Sequence, residues 1–443
     1  MNKPFPTKEY WSYLLPMFIL MMCSYATMMV DAAVGSHFLG PQIVAVVDLA
    51  MPITEIFYSI TLLLGTGASL VASIEHGRGD SRKVSLHFTT AILSAALCLA
   101  FGVFMIYLFR HPILQWIAGE SSLREDAYRY LMTLLPWFVT DNVLMIFRDF
   151  TILTGKPSLV MRCAVVQFLV NLSCNALFLG VLGFGVEGLA YSSLIGTLVN
   201  LLLLLPNYLR ADSRFHLIRC SWEEAIHTLR TNIRFGSGFI GTDLTYIVFS
   251  LTMNALILRW MGEESLVQWS VIVMSFLTVN IASNAGFETC ISLGGKYIGE
   301  NQMPTAIRIS RHASLDVTVW AVVLYMASFL FPSYVLPLFG ASDPSAHQKL
   351  LPLLILAIPF VVMNNVLKLS FIPLLQQGQV GYFFLSLSLI YLQLPLFLAL
   401  FHVFLPGCEW WSMLAMLPLQ LVYLLLTRRK ARALNANTRY ARK

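Results

Sequence analysis

LLPMFILMMCSYATMMVDAAVG, residues 14–35, is the stretch on which the fold turns. As a helix it would extend about 33 Å, enough to cross a hydrocarbon core of about 30 Å. Its one charged residue is Asp31, and no face of it is polar enough to meet water. Segments of this kind recur outward along the chain, near 44–72, 86–109, 128–153, 158–182, 188–206, 235–258, 266–293, 313–337, 350–375, 381–405 and 411–427. Twelve transmembrane helices follow, in an all-α integral membrane protein.

The composition agrees. Charged residues are 12% of the 443, where a soluble chain carries about 25%, and apolar residues are 57%. Mean hydropathy is +0.72. The connections are too short for a soluble domain of ordinary size. Of the 29 Lys and Arg, 22 fall in the termini and even-numbered loops. Short basic loops resist translocation, so both termini are expected in the cytoplasm of a multi-pass protein of the plasma membrane, the inner membrane of a bacterial cell. The net charge of +6 reads as topology. A nucleic-acid role lacks any soluble basic domain to carry it, whereas the basic tail after Leu426 suits membrane lipid headgroups. The first span exceeds a signal-peptide core and is expected to be retained. Seven Cys, mostly in or near spans, and nine His without ligand spacing suggest neither a disulfide framework nor a bound metal.

The chain divides near its middle. Residues 207–234 form the longest polar connection, a cytoplasmic linker in which Ser221-Trp222-Glu223-Glu224 has capping-box spacing and predicts a short surface helix. On either side lie 1–206 and 235–443, each with six spans. Asp141-Asn142-Val143-Leu144 with Gly155, and Asn364-Asn365-Val366-Leu367 with Gly378, share an offset of 223. Asp31-Ala32 and Asn254-Ala255 share it too, and Gly79-Asp80 and Gly299-Glu300 lie 220 apart. Two pseudo-symmetric six-helix lobes are the consequence, an arrangement common in transporters.

Ionisable groups inside spans cost at least about 2.5–3.5 kcal/mol and are expected to face a cavity or a partner. Asp31 has no basic residue within a turn, and a carboxyl able to take up and release a proton in apolar surroundings is what a proton-coupled carrier needs. Asp48 and Glu55 share a helix face around Pro52 and are read as lining a wet cavity. Asp141 and Arg148 are seven apart, so Arg148 is expected to pair with an acid on another span. Asp149 is expected at the solvated interface, and Glu75-His76 as a solvated loop pair. Asp243, Glu288 and Lys368 could form a second polar site, with Asn364 and Asn365 one turn away. Asn171 and Asn175 lie on one face of span 5, with Ser192 and Ser193 close by on span 6. Such oxygen groups suit either a small hard cation or interhelical hydrogen bonding.

The run Asp31-Ala32-Ala33-Val34-Gly35, Leu39-Gly40, Ala45, Pro52, Gly65-Thr66-Gly67 and His76-Gly77-Arg78-Gly79-Asp80 resembles the N-terminal signature of the multidrug and toxic compound extrusion (MATE) transporters. Arg148 with Gly155-Lys156-Pro157 resembles that family's span 4 end, and Asn171, Asn175, Gly185, Gly188 and Ser193 its span 5 to 6 pattern. The resemblance implies an antiporter that exports amphipathic, often cationic, small organic molecules against inward H⁺ or Na⁺ by a rocking of two lobes. It implies an ion-coupling site around Asp31, with Asn171, Asn175 and Ser193 as companions. The chain has Asn175 where family members often have a second Asp, and Ser193 where they have Thr, which points to H⁺ rather than Na⁺. The carboxylates some members use on spans 7 and 10 lack clean matches, since Asp243 stands a turn early and Lys368 occupies span 10. Asp48, Glu55, Asp141, Arg148, Asp243, Glu288 and Lys368 are the expected substrate-cavity residues. No cofactor is implied, the only metal the reading admits is Na⁺ at Asp31, and a monomer is expected. The alternatives are a lipid-linked oligosaccharide flippase of the same superfamily and, from a different class, an integral-membrane enzyme, for which no nucleophile-and-base set is found.

Overall fold

A computed structural model of the chain describes residues 4–40, 42–118, 123–209, 216–336 and 344–440. Lys3, Arg210, Arg214, Arg442 and Lys443 of the basic count, and the middle of the linker, lie outside them. No strand occurs among the described residues, and twelve helices are long and apolar enough to cross a membrane. They are α1 (Thr7–Leu39), α2 (Gln42–Gly77), α3 (Ser81–Leu108), α4 (Arg124–Leu153), α5 (Pro157–Val181), α6 (Glu187–Leu209), α7 (Trp222–Met261), α8 (Glu263–Gly299), α9 (Met303–Leu330), α10 (His347–Leu375), α11 (Val380–Phe404) and α12 (Glu409–Ala431). The outward stripe of α3, with Leu93, Leu97, Phe101 and Phe104 all exposed, is a surface that lipid rather than water would cover.

Two compact units form, Thr7–Ser237 and Gly238–Lys443 with Met1–Pro6. The division therefore falls inside α7 and not at 206 or 235. The expected short surface helix is instead the first turns of α7, which runs unbroken for 40 residues. Its start is a capping box: Glu224 N–H donates to Ser221 Oγ, and Ser221 N–H to Glu224 Oε2, both at 3.2 Å. This opening stretch is fastened to the first unit. Arg82 pairs with Glu224 at 2.7 Å, Ile218 N–H donates to Thr89 Oγ1 at 3.0 Å, and His87 Nδ1 donates to Asn232 Oδ1 at 2.6 Å. At Gly67 and Gly236 the backbones of α2 and α7 meet so closely that a Cβ on Gly67 would lie 2.3 Å from Asn232 O.

The duplication is plainest in the turns. Every described residue with positive φ has a counterpart in the other half: Gly40 and Gly262, Gly79 and Asn301, Gly155 and Gly378, Gly183 and Gly407, at offsets of 222, 222, 223 and 224. Gly155 and Gly378 bond alike: their N–H groups reach Ile152 O and Leu375 O, and the next residues reach Thr151 O and Leu374 O. Gly79 and Asn301 also share a pattern, to His76 O and Ile298 O, followed by Asp80 to Glu75 O and Gln302 to Tyr297 O. Asn301, and not Gly299, is thus the counterpart of Gly79, and the expected offset of 220 becomes 222.

In the first unit α4 is central, packing on α2, α3 and α6, while α1 packs on α5 and α5 on α6. Phe57 stacks on Phe138 at 4.7 Å and Phe88 on Tyr208 at 5.1 Å. In the second unit α10 takes the central place, against α8, α9, α11 and α12.

Candidate functional site

Asp31 lies half-buried in α1, facing the seam of α5 and α6. The four-residue spacing of Asn171 and Asn175 puts both on the buried face of α5, just before the π-helical turn Ala176–Val181. Asn175 Nδ2 donates to Asp31 Oδ1 at 2.5 Å and to Asn171 Oδ1 at 3.1 Å. Ser193 Oγ, from α6, donates to Asp31 Oδ2 at 3.4 Å. The Asn171 amide also stands beside the carboxyl, and Tyr130 of α4 is within its electrostatic reach. These neighbours of Asp31 are amides and hydroxyls. They orient the carboxyl without supplying a countercharge. Ser192 is not among them, since its hydroxyl bonds Gly188 O on its own helix.

One turn inward a second polar cluster joins α4, α5 and α6. Trp137 Nε1 and Gln167 Nε2 both donate to Thr197 Oγ1, at 3.1 and 3.3 Å, and Asn200 Nδ2 donates to Gln167 Oε1 at 2.6 Å. The Thr197 hydroxyl stands beside the Asp141 carboxyl. Gly196 lets the two helices close here, since a Cβ there would come 3.2 Å from Gln167 O. Arg148 acts electrostatically on Asp141 and Asp149, both on its own helix. Asp149 is 5% exposed and accepts from Thr66 Oγ1 of α2 at 3.4 Å, with Ser69 beside it, so it is an interior group and not an interfacial one.

In the second unit Lys368 of α10 donates to Asn284 Oδ1 of α8 at 3.1 Å and lies 5.1 Å from the centre of the Phe287 ring. Asp243 of α7 and Glu288 of α8 act on it electrostatically. Asn364 and Asn365 bond elsewhere: Asn364 Oδ1 accepts from Gln420 Nε2 at 3.3 Å, and Asn365 Nδ2 donates to Val361 O. Asp48 and Glu55 lie on an exposed face of α2 with Pro52 between them. Glu75 is a buried helix-end group and not a loop residue, bonded to Arg78 at 2.7 Å with Lys83 at 3.5 Å.

Residues 16–177, which hold Asp31, Asp141 and the α5 amides, match the MatE family model. Those residues form a MatE domain. Solved structures agree over almost its whole length. A multidrug resistance MATE family transporter of the MOP superfamily, in an outward-facing conformation, superimposes with a TM-score of 0.85 at 15% identity, over 98% of this chain and 97% of that one. A MOP superfamily transporter from Pyrococcus furiosus Vc1, described as having a binding pocket of reverse polarity, gives 0.84 at 17%, over 97% of each chain. A MATE protein in complex with MaD5 gives 0.84 at 17%, over 98% of each. No curated protein matches the sequence. At such identities the structures speak for the fold.

Of the residues singled out in the sequence, Asn171, Asn175 and Ser193 stand together at Asp31. Gln167, Thr197 and Asn200 had gone unnoticed, although the four-residue spacing of Gln167, Asn171 and Asn175 could have shown them on one face. Thr66 had no local signal, because its partner Asp149 is 83 residues away.

Proposed function

We propose that this protein is a MATE-family secondary antiporter that exports amphipathic organic cations in exchange for inward H⁺. The single observation that carries this is Asp31, a carboxyl held inside a membrane helix bundle by neutral amide and hydroxyl donors. Without a fixed countercharge, its ionised form is satisfied by a proton or an incoming cation in turn, which is the competition an antiporter needs. Asn175 turns its NH₂ group to the carboxyl, and that arrangement suits a proton better than bare Na⁺, which would need oxygens there. Asp48 and Glu55 favour cationic cargo, because an exposed acid more than three turns inside a span belongs against water and not lipid. Lys368, the feature most favourable to a flippase for anionic substrates, has Asp243 and Glu288 about it and offers an anion little net charge. A rocking of the two lobes with both termini cytoplasmic completes the reading. No soluble partner enters this reading, in which the protein acts as a monomer.

The test uses purified protein in liposomes loaded with a fluorescent organic cation, under a pH gradient and separately under a Na⁺ gradient. Export driven by pH and abolished in Asp31→Asn is the expected result. Export driven by Na⁺ alone would reverse the ion assignment, and none under either gradient would return the flippase reading.

A further inference from the structure

Asp31 is one end of a polar line through the interior of the first unit, and Asp141 is the other. Along α5, Asn175, Asn171 and Gln167 follow one another at four-residue steps, facing Ser193, Thr197 and Asn200 of α6. The bonds are continuous within each end but not between them. Asn175 Oδ1 and Asn200 Oδ1 are buried and have no protein partner. Orphans of this kind are rare in folded proteins and ordinarily take water. Two of them on one line supply acceptors to which bridging waters can donate.

The bonding of Thr197 fixes a direction. Its oxygen accepts from Trp137 and Gln167, so its own O–H turns to the Asp141 carboxyl beside it. The second half explains why an acid there is more than packing. Asn364 and Gln420 lie 223 after Asp141 and Thr197, and their side chains bond across the helices through neutral groups at 3.3 Å. An amide therefore suffices for structure at this position, and the carboxyl in the first half calls for another reason. Tyr130 near Asp31, and Arg148 with Asp149 near Asp141, are the titratable and charged groups along the line.

We infer that the α5–α6 amide ladder is a water-bridged proton path from Asp31 to Asp141, which makes Asp141 the inner proton acceptor of the transport cycle and not a substrate-cavity acid. The inference rests on the proton-coupled reading above. In the step, the Asp31 O–H bond breaks and its proton passes to a bridging water. Each water hands on a different proton, and the last one bonds the Asp141 carboxylate. Asp31 ends ionised and Asp141 neutral, with no change in total charge and no other reactant. The Thr197 hydroxyl positions the last transfer.

The experiment compares wild type, Thr197→Val, Thr197→Ser, Asp141→Asn and Asp31→Asn in liposomes, with two rates for each: pH-driven export, and substrate-for-substrate exchange, which moves no net proton. Thr197→Val and Asp141→Asn are expected to lower pH-driven export about a hundredfold, the low end of what a positioned proton-transfer group contributes, while exchange falls far less. Thr197→Ser should restore export. An equal fall in both rates would mark a structural role and overturn the path, as would wild-type export in Thr197→Val and Asp141→Asn while Asp31→Asn is inactive. If the wild type shows no pH-driven export at all, the proton-coupled reading itself falls and takes the path with it.

Discussion

The two units copy each other's turns and differ in their charges. Gly155 and Gly378 end α4 and α10 with the same two hydrogen bonds, and Asp141–Thr197 and Asn364–Gln420 link corresponding helices. At the offset of 223, Asp31 answers to Asn254, Asp141 to Asn364 and Arg148 to Phe371, so ionisable residues in the first unit stand where neutral ones do in the second. Asn171 and Asn175 answer to Leu394 and Leu398, both buried. The second unit has its own charges, Lys368 with Asp243 and Glu288, at positions that answer to Met145, Leu20 and Gly65 of the first. Backbone geometry thus survived duplication where polar chemistry did not, as expected if turns specify the fold and intramembrane charges are kept for function.

The comparison breaks most sharply at its first pair. Asp31→Asn should remove pH-driven export entirely, and adding Asn254→Asp in that background should not restore it, since leucines stand where the amides would be needed. Restored export would mean that the two units are chemically interchangeable.

A large effect on stability is expected at Lys368. Its removal by Lys368→Ala leaves Asp243 and Glu288 without their common countercharge inside the unit, at a cost of about 3 kcal/mol, the low end for breaking a buried pair because Lys368 is only half-buried. Thermal melting in detergent reads this directly. Lys368→Ala combined with Asp243→Asn and Glu288→Gln should melt close to wild type, since the acids on which Lys368 acts are then neutral. A triple variant as unstable as the single one would show that Lys368 acts through its packing on Phe287.

The turns should behave as equals. Gly155→Ala and Gly378→Ala each force a side chain into the left-handed region, at about 1–2 kcal/mol apiece, and the two losses should match and add. Unequal losses, measured by the same melting curves, would show that one copy has acquired a burden the other lacks.

How much of this was legible beforehand follows the same division. Twelve spans and two halves could be read because each span is a long apolar run and the basic residues alternate between loops. Four-residue spacing made Asn171 and Asn175 legible as one helix face, while their place beside Asp31 was implied only by the family resemblance. Arg148 was assigned to an acid of another helix since seven residues seemed too far, yet its charge acts on acids of its own helix on either side. Glu75 looked like part of a loop because Gly77 and Gly79 follow it, while the fold buries it against Arg78. The polar start of α7 has the composition of a linker, and its capping box set only where the helix begins. Matching by identity chose Gly299 as the partner of Gly79, but what the turn requires is a residue at ease with positive φ, and Asn301 meets that need.

The smallest effect tests that last pair one residue on. Asp80 caps α3, accepting the Lys83 N–H at 3.0 Å, whereas its counterpart Gln302 makes no such side-chain bond at the start of α9. Asp80→Ala should therefore cost about 1 kcal/mol and Gln302→Ala close to nothing. The bond from the Lys83 N–H, helped by the Lys83 ammonium, holds the Asp80 carboxyl below its usual range in the folded protein. A carboxyl lowered on folding stabilises fully above its unfolded pKa of about 3.9 and ceases to do so as pH falls through the lower, folded value. Melting curves of wild type and Asp80→Ala should accordingly stay apart at neutral pH and draw closer below about pH 4. The gap between wild type and Gln302→Ala has no carboxyl to titrate and should not change over the same range; a gap at Asp80 equally indifferent to pH would show that the cap works without its charge.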